Sequence, residues 1–259
     1  ALHAAPVPAP SVAREPTRLS VLATDETMPI NAIRQRTGQR LTESWRTVPQ
    51  VFQAIDVDFF AVDAVRARHK ERFKAHTGAS LTYLPFIARA ACLAIRDFPR
   101  VNARFDGDRL LVPRDINLGI AVDLSHNGLV VPVVRQAGEL TLEGLAKAIL
   151  RQVEKARAGT MTPDDISGGT YTITNNGSFG TLFTAPIINV PQVAILSTDA
   201  IRKRPAVVET PQGDFIAPRP VGVVAQSFDH RAFDGAYSAG FLSRLKDIIE
   251  RRDWASEFA

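Results

Sequence analysis

The chain has 259 residues, enough for one large domain or two small ones, and its 45% hydrophobic and 22% charged residues are typical of a soluble globular protein. The net charge of +4 suits an anionic ligand such as a phosphorylated cofactor, but no dense basic block of the kind that binds nucleic acid is present. One cysteine, Cys92, excludes an internal disulfide framework and fits a reducing compartment. No signal peptide is visible, and no apolar run is long enough to span a bilayer.

The first 17 residues are rich in alanine and proline. A tract of this composition cannot bury a core and favours extended conformations, so we predict a semi-rigid interdomain linker over residues 1–17. A disordered terminus explains the same composition equally well. We expect one globular domain over residues 18–259.

The first half of this domain is predicted to be largely helical. A helix is expected over residues 30–45 and a strand over residues 48–57. A second helix over residues 59–76 has apolar residues at helical spacing, and Gly78 is a plausible stop. Residues 84–98 are apolar almost all round, which predicts a buried helix.

A hairpin and a helix follow. Residues 117–123 and 129–134 are two apolar runs joined by a loop that contains Asn127-Gly128, a strong hairpin signal. An amphipathic helix is predicted over residues 141–158, with Thr141 as its N-cap and Gly159 just beyond its end.

The rest of the chain alternates strands and turns before a last helix at residues 234–251. Strands are predicted at residues 169–174, 192–197 and 220–227, and a hairpin through Gln212-Gly213 at residues 207–216. The mixture of helices, strands and hairpins predicts an α/β or α+β domain in layers, with a mixed sheet.

Most of the five histidines have an ordinary structural explanation. His3 lies in the linker, and His126 is expected to be a solvated residue of the hairpin turn. His69 and His76 fall on or near the apolar stripe of their helix, so we expect them to be partly buried packing residues. None of these forms a spaced ligand set with Cys92 or a second histidine, and we therefore predict no metal site.

His230 has different surroundings. It follows an apolar strand and precedes a helix, and a strand end is a rigid support for a side chain that moves protons near neutral pH. A structural hydrogen-bonding role for Asp229-His230-Arg231 carries equal weight on the residues alone. Asp234 is a candidate cap of the following helix, a candidate for orienting the site, or both.

Two further stretches are candidates for ligand contact. Residues 170–180 form a β-rich run that ends in hydroxyl and amide side chains and a glycine loop, where the backbone could approach a ligand closely. An ordinary turn explains them too, and they match no phosphate-loop signature. The prolines of residues 185–191 predict a rigid extended segment or a plain connector. Cys92 lies within an apolar helix and is expected to be inert.

Together these stretches resemble the catalytic domain of the dihydrolipoamide acyltransferase subunits of 2-oxo acid dehydrogenase complexes. The family signature Asp-His-Arg-x-x-Asp-Gly is complete here at Asp229, His230, Arg231, Asp234 and Gly235. Other segments that are similar to the family, in order, are residues 119–123, 128–133, 172–175, 186–191 and 192–196. The likeness begins at about residue 18 and implies an α/β fold, a two-layer mixed-sheet domain like that of trimeric chloramphenicol acetyltransferase.

The sequence departs from the family pattern at three places. Gln50 stands where many relatives have histidine, and residues 197–199 read Ser-Thr-Asp where a glycine is usual. The loop over residues 208–220 is somewhat long. These departures leave the signature intact, but they prevent an assignment of the acyl group from the sequence.

The resemblance implies transfer of an acyl group between a dihydrolipoyl thiol and coenzyme A. His230 would be the general base, Thr174 would donate a hydrogen bond to the oxyanion, and Asp234 would orient the histidine, with Arg34 as a candidate partner. The acyl group is acetyl or branched-chain in preference to succinyl. A free-standing acetyltransferase that acts on an alcohol, and a structural or partner-binding subunit without catalysis, are the alternatives.

The resemblance also implies partners. The lipoyl group would be carried on a separate domain, and the other subunits of the complex would bind the same protein. We expect a homotrimer that assembles into a cubic or dodecahedral core, in which Thr174 acts on His230 of a neighbouring subunit. Arg202-Lys203-Arg204 is a candidate for the coenzyme A phosphates or, more simply, a solvated patch. The resemblance implies the bacterial cytoplasm as the location, in preference to the mitochondrial matrix.

Overall fold

A computed structural model describes residues 24–78 and 80–258. The chain divides into two units, Ala1–Ile30 and Asn31–Ala259, and the described part of the first unit, residues 24–30, contains no helix or strand. The predicted linker over residues 1–17 and the predicted start of the domain near residue 18 lie outside the described residues. The rest of the fold concerns the second unit.

All five predicted helices are present, with ends that follow local capping rules. Thr141 Oγ1 accepts a hydrogen bond from the backbone of Gly144, and Gly78 and Gly159 end their helices at φ 73° and 67°. The first helix begins later than predicted because the side chain of Asn31 caps it. The helices are α1 (Ala32–Thr47), α2 (Phe60–Thr77), α3 (Tyr83–Asp97), α4 (Leu142–Ala158) and α5 (Gly235–Arg251).

The large sheet is mixed, as the sequence predicted. The strands of the described chain are β1 (Gln50–Asp58), β2 (Arg104–Asp106), β3 (Arg109–Leu111), β4 (Leu118–Ile120), β5 (Val122–Asp123), β6 (Leu129–Val130), β7 (Val133–Val134), β8 (Tyr171–Asn175), β9 (Ala194–Thr198), β10 (Arg202–Val208) and β11 (Phe215–Asp229). The strand order of the large sheet is β1-β11-β9-β8-β4-β7, with β10 also paired to β11, and β4, β8 and β9 run parallel to one another.

Both predicted hairpins form, and one small ribbon was missed. The β10–β11 hairpin turns through Thr210 and Gly213. The earlier hairpin is broken in two, because β4 pairs with β7 in the large sheet whereas β5 and β6 pair separately. At the break, Ala121 donates its N–H to Ile173 of β8, and Pro132 has no N–H to give. The β2–β3 ribbon lies in a stretch for which we predicted no element.

The core lies between one face of the sheet and helices α2–α5, which confirms the two-layer architecture. Alternate residues of β9 show the two faces: Ala194 and Leu196 join the main core, whereas Ile195 packs with Val48 and Ile188 on the opposite face. Helix α1 is not part of the helical layer and has only Ser44 fully buried. None of the described helices combines the length and the apolar character needed to cross a membrane.

Candidate active site

His230 lies immediately beyond the carboxyl end of β11, as the sequence predicted. Its backbone N–H donates to the carbonyl of Pro49 at 3.1 Å, and the preceding residue, Asp229, donates its N–H to Val193 at 2.8 Å. The backbone is therefore held from both neighbouring strands. The imidazole is exposed, lies 5.9 Å from the ring of Phe228, and has no hydrogen-bond partner among residues 24–78 and 80–258. It is free to exchange a proton with a bound group.

The two residues that flank His230 form an ion pair. Arg231 Nη2 lies 2.6 Å from Asp229 Oδ2, and its Nε lies 3.0 Å from Oδ1. The hydrogen bond to Asp229 raises the pKa of the Arg231 guanidinium. Asp229 is buried, and its carboxylate is satisfied by this one arginine. Both members of the pair lie beside the exposed histidine.

Asp234 caps helix α5, as one of its two predicted roles requires. Its Oδ1 accepts the N–H of Tyr237 at 3.1 Å. Arg34, the candidate partner for this carboxylate, is bonded elsewhere: its Nη2 donates to the carbonyl of His126 at 3.0 Å, in the turn between β5 and β6. Within the described chain no hydrogen bond or ion pair joins Arg34 to Asp234. The orienting pair that we expected is therefore not formed in the single chain.

Thr174 is half-buried near the carboxyl end of β8. Its hydroxyl has no hydrogen-bond partner in the described part of the chain, so its donor capacity is unused. The loop that follows is a local turn, since Asn175 Oδ1 accepts the N–H of Gly177 at 2.9 Å. Asp199, one of the departures from the family, anchors this loop by accepting hydrogen bonds from Thr181 and Thr184.

The strand register separates Thr174 from His230. Thr174 is aligned with Ser197 of β9, which is aligned with Ala225 of β11, five residues before His230. Five residues of strand span about 17 Å, in addition to two inter-strand spacings. The two side chains therefore lie towards opposite ends of the sheet. One chain cannot bring both to the same reacting group.

The segment over residues 185–191 crosses the sheet face that is not covered by α2–α5. Gln50 Oε1 accepts the N–H of Ile188 at 3.0 Å, and Ser44 Oγ donates to the Ile188 carbonyl at 2.7 Å. This confirms a fixed segment. Gln50, noted from the sequence only as a departure, is the residue that ties it to the strand beside His230. No local sequence signal indicates this role, because the two partners are 138 positions apart.

The structure also locates His69, His76, His126 and Cys92, whereas His3 lies outside the described residues. His69 is half-buried and stacks on Phe258 with ring centroids 4.5 Å apart, as predicted. The expectation for His76 was wrong: its side chain is 70% exposed, like its neighbours Lys74 and Ala75 in the last turn of α2, and its Nε2 lies 3.5 Å from Glu143 Oε1. His126 is exposed in its turn, as predicted. Burial raises the pKa of the Cys92 thiol to about 12, which leaves it inert.

Two residues of the basic stretch after β9, Arg202 and Arg204, contact their own chain, whereas Lys203 is exposed. Arg202 Nη2 donates to the Gly180 carbonyl at 2.8 Å, and Arg204 lies 3.7 Å from Asp56. Across the described ranges, no group of histidine, cysteine and acidic side chains could hold a metal ion.

The architecture is that of an acyltransferase fold. The structure matches chloramphenicol acetyltransferase with a TM-score of 0.54 at 14% identity, over 82% of this chain and 94% of that chain, a likeness that concerns the fold alone. The chain belongs to the family of 2-oxoacid dehydrogenase acyltransferase catalytic domains, which its residues 22–255 match.

The curated relatives carry three different acyl groups in their names. The chain is 37% identical over 231 residues to the lipoamide acyltransferase component of the Bacillus subtilis branched-chain alpha-keto acid dehydrogenase complex, covering 89% of this chain and 54% of the relative. It is 41% identical to the acetyltransferase component of pyruvate dehydrogenase from Mycobacterium bovis, over 86% and 41%. A Bartonella vinsonii succinyltransferase component is 38% identical, over 87% and 54%. The chain thus spans about half the length of the relatives it matches.

Solved structures of proteins with related names have the same fold. A probable dihydrolipoamide acetyltransferase from Listeria monocytogenes has a TM-score of 0.84 at 34% identity, over 90% of this chain and 98% of that chain. The cubic core of a pyruvate dehydrogenase complex has a TM-score of 0.83 at 30% identity, over 91% and 94%. The Azotobacter vinelandii dihydrolipoamide acetyltransferase, studied for the roles of a serine, a histidine and an asparagine in catalysis, has 0.83 at 29%, over 91% and 94%.

Proposed function

We propose that this chain transfers an acyl group between a dihydrolipoyl thiol and coenzyme A, as the core of a 2-oxo acid dehydrogenase complex. The observation that carries this proposal is the exposed imidazole of His230, which stands within a complete family signature at the end of β11. The names of the relatives support the reaction class. They favour no single acyl group, and we keep acetyl or branched-chain ahead of succinyl.

His230 acts as the general base. An ordinary thiol has a pKa near ~8.5, so little thiolate is present at neutral pH. The imidazole removes the proton from the coenzyme A thiol as its sulfur attacks the thioester carbonyl of the acylated dihydrolipoyl group. The tetrahedral adduct then expels the dihydrolipoyl sulfur, which recovers the proton from His230. General base catalysis of this kind contributes about 10²–10⁴-fold.

Thr174 stabilises the oxyanion of the tetrahedral adduct. Its hydroxyl lacks an internal partner, and its distance from His230 within the chain means that a neighbouring copy must supply it. A closed ring of three copies places the same pair of surfaces together at each boundary. We therefore propose a homotrimer with three sites. The likeness to a cubic core supports further assembly.

Asp234 holds the turn that carries His230 by capping α5. Arg34 remains a candidate orienting residue only across a boundary between copies, since its contact within the chain is with His126. The lipoyl domain and the other subunits of the complex are the proposed partners. We propose the bacterial cytoplasm as the location, because its reducing conditions suit a chain whose one cysteine is a free thiol.

An acyl-transfer assay tests the proposal. With acetyl-, isobutyryl- and succinyl-coenzyme A and dihydrolipoamide, the wild-type chain is expected to transfer at least one acyl group, and the comparison identifies which. His230→Ala is expected to abolish transfer while leaving the size of the assembly unchanged in light scattering. Transfer at the wild-type rate by His230→Ala would refute the role of the histidine. A wild-type assembly without any transfer would instead indicate a structural core.

A further inference from the structure

We propose that the ion pair of Asp229 and Arg231 is a positioning device for His230, so that Arg231 is a positioning residue for acyl transfer. This inference rests on the proposed function. It adds a role for Asp229 and Arg231, the two residues of the signature that flank His230. The inference depends on the geometry of the pair, on its external anchors, and on its difference from the exposed pair of Arg109 and Asp106.

The pair closes a small ring around His230. The carboxylate of Asp229 accepts the backbone N–H of Arg231 at 3.0 Å, in addition to its Nε at 3.0 Å and its Nη2 at 2.6 Å. The Asp229 carbonyl also accepts the N–H of Ala232 at 2.9 Å. Because these bonds join the residue before His230 to the residues after it, they restrict the backbone rotations on both sides of the histidine. The base of the imidazole side chain is therefore fixed.

The same ring is anchored from outside at two points. The Arg231 guanidinium lies 4.7 Å from the ring centroid of Phe105 in β2, a favourable cation–π contact. The neighbouring residue of that strand, Arg104, forms a β-bridge with Gln192. The next residue after Gln192 is Val193, whose carbonyl accepts the N–H of Asp229. Both ends of the ion pair are thus attached to one connected piece of backbone.

A comparison with another pair shows how this arrangement differs from an exposed ion pair. Arg109 and Asp106 in the β2–β3 ribbon form a single contact of 3.3 Å, with side chains 75% and 54% exposed. Asp229, in contrast, is 2% exposed and satisfied by a two-pronged arginine. Burying a carboxylate costs free energy unless its partner geometry is good, and an exposed pair contributes little. A buried carboxylate held by a half-exposed arginine, beside an exposed imidazole, is better suited to orientation than to stability alone.

Loss of the two-pronged contact between the Arg231 guanidinium and the Asp229 carboxylate should displace the His230 imidazole. Lysine keeps the charge of arginine but offers a point donor instead of a planar fork, so it cannot reproduce the two-pronged contact. A displacement of about 1 Å at a reacting group can cost about 10²-fold in rate. The effect should fall on kcat, because the sulfur substrates would still bind.

The test compares Arg231→Lys with Phe105→Leu, which removes only the aromatic contact, and with Arg109→Lys as the matched control on the same ribbon. Arg231→Lys is expected to lower kcat about 10²-fold with KM for coenzyme A and dihydrolipoamide unchanged. Phe105→Leu should cause a smaller loss in the same direction, and Arg109→Lys none. All three variants should stay folded at the assay temperature and keep the wild-type particle size. An unchanged kcat in Arg231→Lys, or a raised KM alone, would overturn the proposal.

A measurement that needs no activity separates this proposal from the acyl-transfer assignment. In protein labelled with ¹³C-histidine, the His230 imidazole signal is identified by its loss in His230→Gln. It is expected to be single and sharp in the wild type, and shifted or broadened in Arg231→Lys but not in Arg109→Lys. An identical His230 signal in Arg231→Lys contradicts positioning, whether or not the wild type transfers acyl groups.

Discussion

His230 and Thr174 share one property at the scale of single residues: each side chain has polar atoms that its own chain leaves without a hydrogen-bond partner in the described ranges. For the histidine, this follows from its place beyond the last residue of β11. For the threonine, it follows from a position near the end of β8, where the neighbouring Asn175 instead satisfies the loop. Unused hydrogen-bonding capacity on a fixed backbone is what a transition-state contact requires.

The hydroxyl of Thr174 can be tested by an isosteric change. Thr174→Val keeps the branched shape and removes the donor, so kcat is expected to fall about 10²–10³-fold with little change in KM. Thr174→Ser keeps the hydroxyl and should retain most of the activity. Steady-state kinetics with both thiol substrates measure the difference. A raised KM at unchanged kcat in Thr174→Val would assign the residue to binding instead.

At the scale of elements, the C-terminal 3₁₀ turn (Trp254–Phe258) holds the helical layer together through a buried acid. The Glu257 side chain, 6% exposed, accepts hydrogen bonds from Arg252 at 2.8 Å and Arg89 at 3.3 Å, and from the N–H of Leu142 at 3.3 Å. Burial favours a raised pKa for this carboxyl, but the arginines and the Leu142 N–H outweigh it and lower the pKa. Glu257 thus joins the end of the chain to α3 and α4.

Glu257 should make the stability of the fold sensitive to acid. Because the folded state lowers the pKa of this carboxyl, its contribution is fully present at neutral pH and is lost as the pH falls below the ordinary glutamate value of about 4.3. Glu257→Gln is expected to lower the free energy of unfolding by about 2 kcal/mol at pH 7. The difference from wild type should shrink in acid, as measured by denaturant unfolding at several pH values.

The matched control is Glu154→Gln on α4, since Glu154 is exposed and forms no ion pair among the described residues. This variant should unfold like the wild type at every pH. Equal stability of Glu257→Gln and the wild type at pH 7 would show that the carboxylate contributes nothing to docking of the turn.

At the scale of the whole molecule, the directions of three strands, β8, β9 and β11, decide where the site can form. β8 and β9 are parallel and β11 is antiparallel to both, so the carboxyl ends of β8 and β11 point to opposite edges. Thr174 and His230 stand at these two ends. A second copy is therefore part of the proposed catalytic machinery.

Mixed assemblies test this arrangement directly. His230→Ala keeps Thr174, and Thr174→Val keeps His230. If the site lies between copies, co-expressed chains of both kinds should form wild-type sites at about one quarter of the boundaries in random trimers. Activity well above that of either variant alone, measured after purification through a tag on each chain, is the expected result. A mixture that is only as active as the average of the two variants would mean that each chain holds a complete site.

Local physical rules made much of the fold predictable. Helical spacing and capping residues such as Thr141 and Asp234 gave the helix ends, because these depend on neighbours within one or two turns. The turn residues Asn127-Gly128 and Gln212-Gly213 correctly predicted both hairpins. The ribbon of β2 and β3 was not predicted, since each strand has three residues and too little pattern to detect.

By itself, the sequence determined the position of His230 at a strand end, the cap at Asp234 and the family, because these depend on contiguous residues. Only the tertiary structure decided that Thr174 lies far from His230, that Arg34 contacts the β5–β6 turn, and that Asp229 and Arg231 are bound to the β2 strand and the start of β9. The physical reason is that strand order and direction depend on pairing between segments distant in sequence, to which no local pattern is sensitive.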